Sequence, residues 1–375
     1  MKLNKKKVFK CFAVMAAAMT MGTTIIGMTA CDALGGGDTL VVYTNSGSGG
    51  RAKWWEKEAK EAGFNITVVD GGADKMKEKI IAEAKNPQAD VMCGLNTMGW
   101  SDLKARGLIE QYVPKWADHV DEGLNDPDGY YHAITKETIL LIYDKEVMGE
   151  GENKLAPPSD WIDIWNPANT QYHGKFQCWS SLGGGTTQVV LSSIMHRYKS
   201  DASDAKYGVS PEGWTQIKNL YTYGVKAQGN VFDALSNKNP DHSNYPICMG
   251  QWYSSGIKSY SETYYNKSKT QHLLEGVGYV VPELGVPYAV TGCGIIKGTK
   301  KKETAQKFLD WYGSDEFQTK WAQKWNTAPA NNVAWQSASE DAKLYTSLKQ
   351  QEIDWAWAQS HMGDWIAEIE LQYMK

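Results

Sequence analysis

Beyond residue 38 the chain alternates short apolar runs with stretches of helical spacing. Thr39 to Thr44, Ile66 to Asp70 and Asp90 to Gly94 read as strands. Between them Arg51 to Ala62 and Lys75 to Ala84 have helical periodicity, and Trp100 to Arg106 follows as a helix that ends at Gly107. This βαβαβ order implies a mostly parallel sheet with helices on its faces. Such sheets hold ligands at the C-terminal ends of their strands. Those ends carry Asn45-Ser46, Gly71-Gly72 and Gly94-Leu95-Asn96-Thr97.

After a turn at Asp126 to Gly129, the apolar run Thr138 to Tyr143 reads as a strand. A second alternating unit follows. It has a strand at Lys175 to Trp179, helices over 188–198 and 211–227, a strand at Tyr245 to Met249 and a helix over 254–267. Strands at Gly278 to Val281 and Ala289 to Ile296 precede a helix at Lys302 to Gly313. Aromatic-rich helices, including Gln350 to Tyr373, close the chain.

Two glycine-rich turns stand out, each between a strand and a helix. One is Asn45-Ser46-Gly47-Ser48-Gly49-Gly50; the other is Ser180-Ser181-Leu182-Gly183-Gly184-Gly185-Thr186-Thr187. The first turn of a helix leaves backbone N–H groups without intrahelical partners. With the helix dipole and nearby hydroxyls, these groups can hold an anion. The plain alternative is that such turns are ordinary in α/β proteins and that each Ser or Thr is a helix cap. The functional reading requires the two turns to face one gap.

The N-terminus changes the picture of location. Lys2, Lys5, Lys6, Lys7 and Lys10 precede an uncharged apolar stretch from Cys11 to Ala30. Residues 1–30 read as a secretory signal, and they resemble a bacterial lipoprotein signal in which Cys31 is lipidated. Residues 31–38, with Gly35-Gly36-Gly37, read as a flexible tether. Net charge is −4, and without the five lysines of the basic start, which contains no acid, the remainder carries −9. That balance argues against a nucleic-acid surface. About 345 residues suit two domains rather than one core. Cys93, Cys178, Cys248 and Cys293 fall in predicted strands at spacings unsuited to zinc and read as small buried residues, although export permits a disulfide.

The order of several short stretches is similar to one known family. These are Leu40-Val41-Val42-Tyr43-Thr44, Asn86-Pro87-Gln88-Ala89-Asp90-Val91, Arg106 to Tyr112, Pro127-Asp128-Gly129-Tyr130, Tyr172 to Phe176, and Gly294-Ile295-Ile296-Lys297-Gly298 with Ala305 to Trp311. They resemble the bacterial ABC-transporter solute-binding proteins of the periplasmic-binding-protein type II branch, which includes ferric-iron, aminoethylphosphonate and sugar-phosphate binders. The resemblance implies an α/β fold of two lobes, each a mixed sheet flanked by helices, with two hinge-crossing strands at Thr138 to Tyr143 and Val286 to Cys293. Residues 39–138 and 286–330 would form lobe 1. Residues 139–285 and 331–375 would form lobe 2, with the C-terminal helices free to pack on either.

The resemblance also implies a receptor on the outer face of the cytoplasmic membrane that closes on its solute and delivers it to an ABC permease. A monomer without a cofactor is expected. Carried over by position, the site is Asn45, Ser46 and Ser48; Asn96 and Thr97; Ser180, Ser181, Gly184, Thr186 and Thr187; and Gln251, Trp252 and Tyr253. A small anion, phosphonate, phosphorylated or carboxylated, suits the Gly/Ser turns. Ferric iron is the rival, but this chain has Gln251-Trp252-Tyr253 where iron binders present adjacent tyrosines, and Tyr264-Tyr265 comes about three helical turns later. Sixteen Trp and twenty Tyr outnumber seven Phe. Trp100, Trp179 and Trp252 lie near strand ends, where a ring could stack on a ligand or simply pack the core. No HExxH, Walker loop or GxSxG is present. A secreted, lipid-anchored hydrolase acting on carbohydrate is the alternative of another class: sequence does not exclude the carboxylate pair it would need, but singles none out.

Overall fold

The computed structural model describes residues 39–145, 147–152, 154–226, 247–248 and 277–374. The expectations for the signal, Cys31, the tether, Gln251-Trp252-Tyr253 and Tyr264-Tyr265 lie outside the described residues.

In chain order, the first unit contains β1 (Leu40–Thr44), α1 (Arg51–Glu61), β2 (Ile66–Asp70), α2 (Ala73–Ala82), β3 (Val91–Asn96), α3 (Thr97–Ala105), β4 (Ile109–Glu110) and β5 (His132–Thr138). The chain continues through β6 (Leu141–Asp144), β7 (Gln177–Cys178), α4 (Gly185–His196), α5 (Pro211–Tyr223), β8 (Val225–Lys226), β9 (Ile247–Cys248) and β10 (Val277–Val280). It then runs through β11 (Tyr288–Ile296), α6 (Lys302–Tyr312), α7 (Asp315–Trp325), α8 (Asn332–Trp335), α9 (Glu340–Thr346) and α10 (Trp355–Gln372).

The larger sheet has the order β2-β1-β3-β11-β4, with β5 also paired to β11. Its β2-β1-β3 part is parallel, as the βαβαβ pattern predicts, whereas β11 runs antiparallel to β3, β4 and β5. Both faces of β1 are covered. Leu40 and Val42 pack with Trp55 of α1 and Phe308 of α6, and Val41 and Tyr43 pack with Met76 and Ile80 of α2. This two-sided burial explains why β1 reads as a continuous apolar run.

The second lobe is built on β10-β6-β9 and the parallel pair β7-β8. Its core gathers Ile139, Leu141, Trp161 and Trp165 with Val190 and Ile194 of α4 and Met362, Trp365 and Ile369 of α10. The expected strand Thr138 to Tyr143 is in fact the junction of two strands. β5 ends in the larger sheet at Thr138, and β6 starts in the smaller at Leu141. The chain returns between β10 and β11. Sequence expectation put the last return at residue 331. The N-cap Asn331 of α8 bonds the Gly313 carbonyl, α8 packs on α7 and α9 packs on β5, while α10 joins the second core.

Cys93, Cys178 and Cys293 are free, buried thiols, and Cys93 and Cys293 stand opposite each other on β3 and β11. Trp100 and Trp179 are core residues rather than ligand platforms. Trp100 is fully buried and stacks on Tyr131 at 5.7 Å between centroids, and Trp179 belongs to the second core.

Candidate functional site

Residues flanking both glycine-rich turns line one cavity of about 230 Å³. Asn45, Ser46 and Arg51 come from the first turn and the start of α1, and Gly185 and Thr186 from the start of α4. Thr135 and Glu137 project from β5, with Ala289 and Thr291 beside them on β11. Asn96, Tyr312 and Trp321 complete the parts that matter chemically.

The two turns are chemically unlike. In the first, most of the expected backbone donors are already used. The Ser46 N–H bonds Thr44 Oγ1 at 2.9 Å, and the Gly47 N–H bonds Asp70 Oδ1 at 2.9 Å. The amides of Arg51 and Ala52 bond the carbonyls of Ser48 and Gly47. Parallel pairing of Thr44 with Asp70 carries that carboxylate beside Gly47, where a Cβ would lie 2.9 Å from the Asp70 side chain. Gly49 and Gly50 then turn the chain at φ 66° and 90°, a region that favours glycine.

What the first turn offers is side chains. Arg51 has no ion-pair partner among the described residues, its Nε is buried and unbonded, and its guanidinium lies 5.2 Å from the Trp325 ring centroid. Asn45 Oδ1 is also buried and unbonded. It occupies the space over Gly94, whose φ is 130° and whose Cβ would lie 1.9 Å from that oxygen.

The second turn keeps the donors at the mouth of α4, although the Gly183 N–H bonds Ser181 Oγ at 3.4 Å. The N-cap of α4 is Gly184, which supplies no side-chain cap. Among the described residues the amides of Gly185, Thr186 and Thr187 meet no acceptor. A twelve-residue helix therefore presents an unsatisfied N-terminus at the cavity.

Glu137 is only 7% exposed, and its Oε1 accepts from the Ala328 N–H at 3.3 Å. Burial pushes its carboxyl up to about 8, opposed by that hydrogen bond and by the charge of Arg51. Beside it, the Thr135 and Thr291 hydroxyls bond each other at 2.6 Å.

The lobes touch around this space. Asn96 Nδ2 donates to the Gly185 carbonyl at 3.4 Å. Gly183 lies so close to α2 that a Cβ there would be 2.5 Å from Asp74 Oδ2. Burial raises the Asp74 carboxyl above its ordinary range, and the Gln188 side chain bonds to it.

Of the residues nominated from sequence, Asn45, Ser46, Asn96 and Thr186 line the cavity. Thr97 lines a narrow neighbouring crevice with Tyr288 and Trp355. Ser48, Ser180, Ser181 and Gly184 are exposed and do not line the cavity; Thr187 is half-buried in the first turn of α4 and does not line it either. Arg51 and Glu137 were not nominated. Arg51 carried a signal, being the first helical residue after the glycines. Glu137 carried none, since a charge in a strand reads as a solvent-facing position. Among the described residues no group of three or more His, Cys, Asp or Glu could hold a metal ion.

Residues 53–347 match the family model described as bacterial extracellular solute-binding protein. A Sinorhizobium fredii protein named as a probable ABC transporter periplasmic-binding protein is 28% identical over 336 residues, covering 89% of this chain and 86% of that one. The fold is similar to apo ferric ion-binding protein A of Pasteurella haemolytica, with TM-score 0.71, 16% identity and coverage of 89% and 98%. It is also similar to AfuA of Actinobacillus pleuropneumoniae with fructose 6-phosphate bound, with TM-score 0.67, 20% identity and coverage of 89% and 98%. These neighbours are two-lobed type II binding proteins. The chain belongs to the bacterial extracellular solute-binding proteins, the receptors that serve ABC importers.

Proposed function

We propose that the solute is a small oxyanion, a phosphonate or a phosphorylated or carboxylated compound, clasped between the lobes without chemical change and passed to a membrane permease. One observation carries this reading: the Arg51 guanidinium, without an ion pair among the described residues, shares a 230 Å³ cavity with the uncapped N-terminus of α4. A cation and a helix N-terminus with free amides both favour anionic charge. Hydrogen bonds to a charged group contribute about 1.5–3 kcal/mol each, so a few of them support micromolar capture after the cost of association. The sugar phosphate bound by AfuA fits the same class. Hinge closure between β5 and β6 and between β10 and β11 would enclose it. The N-terminal pattern supports tethering to the extracellular face of the cytoplasmic membrane through lipid on Cys31, and we take the receptor to act as a monomer.

A thermal-shift panel tests the ligand class, because a ligand of the folded state raises the melting temperature. Phosphonates, sugar phosphates and carboxylates are expected to stabilise the protein. Stabilisation by ferric salts alone would replace the oxyanion with iron. Turnover of any stabilising compound would make the protein an enzyme.

A further inference from the structure

Glu137 is, among the described residues, the one carboxylic acid that lines the cavity. Among the described residues it has no salt-bridge partner there. Arg51 lines the same cavity and acts on it electrostatically, yet the two do not form an ion pair. An ionised carboxylate buried with a single backbone hydrogen bond is strongly unfavourable. It would also repel an oxyanion held in the same small space. A protonated carboxyl removes both penalties and gains an O–H donor. We propose that Glu137 reads the solute in its acid form, donating a hydrogen bond to the oxyanion that Arg51 and α4 hold, so that loss of its proton closes the site to anions.

The inference rests on the oxyanion reading and narrows it. The preferred solute carries no ammonium group, because a cation would call for ionised Glu137. A metal cation would make the same demand. The surroundings agree. Tyr312 of α6 shares the cavity, and burial keeps its phenol neutral by raising it well above its ordinary value. On the other elements packed against β5, the titratable groups are Tyr288 and Cys293 of β11 and Glu340, Asp341, Lys343 and Tyr345 of α9. None of these lines the cavity.

The test is titration calorimetry of the full chain and of Glu137→Gln with inorganic phosphate, methylphosphonate and fructose 6-phosphate, from pH 6.5 to pH 9. Glutamine imitates the protonated acid in shape and keeps a donor. At pH 6.5 the variant is expected to bind the strongest of the three within about threefold of the wild type. Between pH 7 and pH 9 wild-type affinity should fall about tenfold relative to the variant, as a group titrating near pH 8 loses its proton. Titration of the probe itself is common to both proteins and cancels in that ratio. A tenfold or greater loss in Glu137→Gln at pH 6.5, or a ratio that is flat with pH, would overturn the proposal while leaving oxyanion capture intact. Failure of the wild type to bind any of the three at pH 6.5 would instead remove the oxyanion reading, and this inference with it. An infrared titration of the unliganded wild type needs no variant: the band of a protonated carboxyl must be present at pH 7 and vanish by pH 9.5, and its absence at pH 7 overturns the assignment.

Discussion

Asn96 joins the two lobes to each other with one end of its side chain and stabilises its own helix with the other. Its Oδ1 accepts the Gly99 N–H at 3.0 Å as the N-cap of α3, and its Nδ2 donates to the Gly185 carbonyl at the start of α4 at 3.4 Å. The two roles separate by mutation. Asn96→Ser keeps a capping oxygen but has no donor that reaches Gly185, whereas Asn96→Ala loses both. Asn96→Ala should cost about 1 kcal/mol in urea unfolding, and Asn96→Ser only a few tenths. Both should weaken solute binding by a few-fold in titration calorimetry. Equal stability losses in the two variants would show that the cap is not what Asn96 contributes.

Gly183 marks a point where the two lobes come close. Its backbone lies outside the left-handed region, so alanine adds no backbone strain. The obstacle is across the cleft, where the new methyl would meet Asp74 Oδ2 at 2.5 Å. Gly183→Ala should therefore leave the melting temperature of the unliganded protein nearly unchanged. It should weaken binding a few-fold, because the Asp74 carboxylate has to turn away from the new methyl for the lobes to close. Adding Asp74→Ala removes the colliding carboxylate and should restore binding. A double variant that binds as weakly as Gly183→Ala alone would place the obstruction elsewhere.

Much of this arrangement is written in the chain, and the parts that are not have physical reasons. The run Leu40 to Thr44 and the glycines after it locate β1 and its turn because a strand buried on both faces has few other sequence solutions. The split of Thr138 to Tyr143 into β5 and β6 is hidden because Ile139, Leu140, Leu141 and Ile142 are all buried, so no periodicity marks the change of sheet. Likewise, nothing local to Gly47 indicates that its amide is taken. The acceptor is Asp70, brought there by the β1–β2 register. The glycine pattern thus pointed to backbone donors in both turns, while the structure leaves them free in one and supplies an arginine in the other.

Arg51 should matter more for binding than for folding. Among the described residues it has no ion-pair partner to lose, and its guanidinium lies over the Trp325 ring, 5.2 Å from the centroid. Arg51→Ala should lower affinity for an oxyanion roughly 10- to 100-fold, the equivalent of one or two charge-assisted hydrogen bonds. Arg51→Lys should recover only part of that, since an ammonium lacks the planar fork that matches an oxyanion. Thermal unfolding without ligand should shift little in either variant. A large drop in unliganded stability, with affinity per folded molecule unchanged, would make Arg51 a structural residue.

Glu137 should also give the unliganded protein a specific dependence of stability on pH. Its carboxyl titrates near pH 8 when folded, against an ordinary value of 4.5. Below about pH 4.5 both folded and unfolded chains hold the proton, and the group contributes no pH dependence. As pH rises from there toward 8 the unfolded chain releases the proton while the folded chain retains it, so proton binding favours the folded state by less and less. Stability relative to Glu137→Gln, which does not titrate, should therefore fall over this window and level off above pH 8. The fall should be on the order of a few kcal/mol, with a slope of at most about 1.4 kcal/mol per pH unit. Urea unfolding of both proteins between pH 5 and pH 9 measures the difference directly. A difference that stays constant, or that grows in favour of the wild type as pH rises, would mean that Glu137 is ionised in the folded protein at neutral pH.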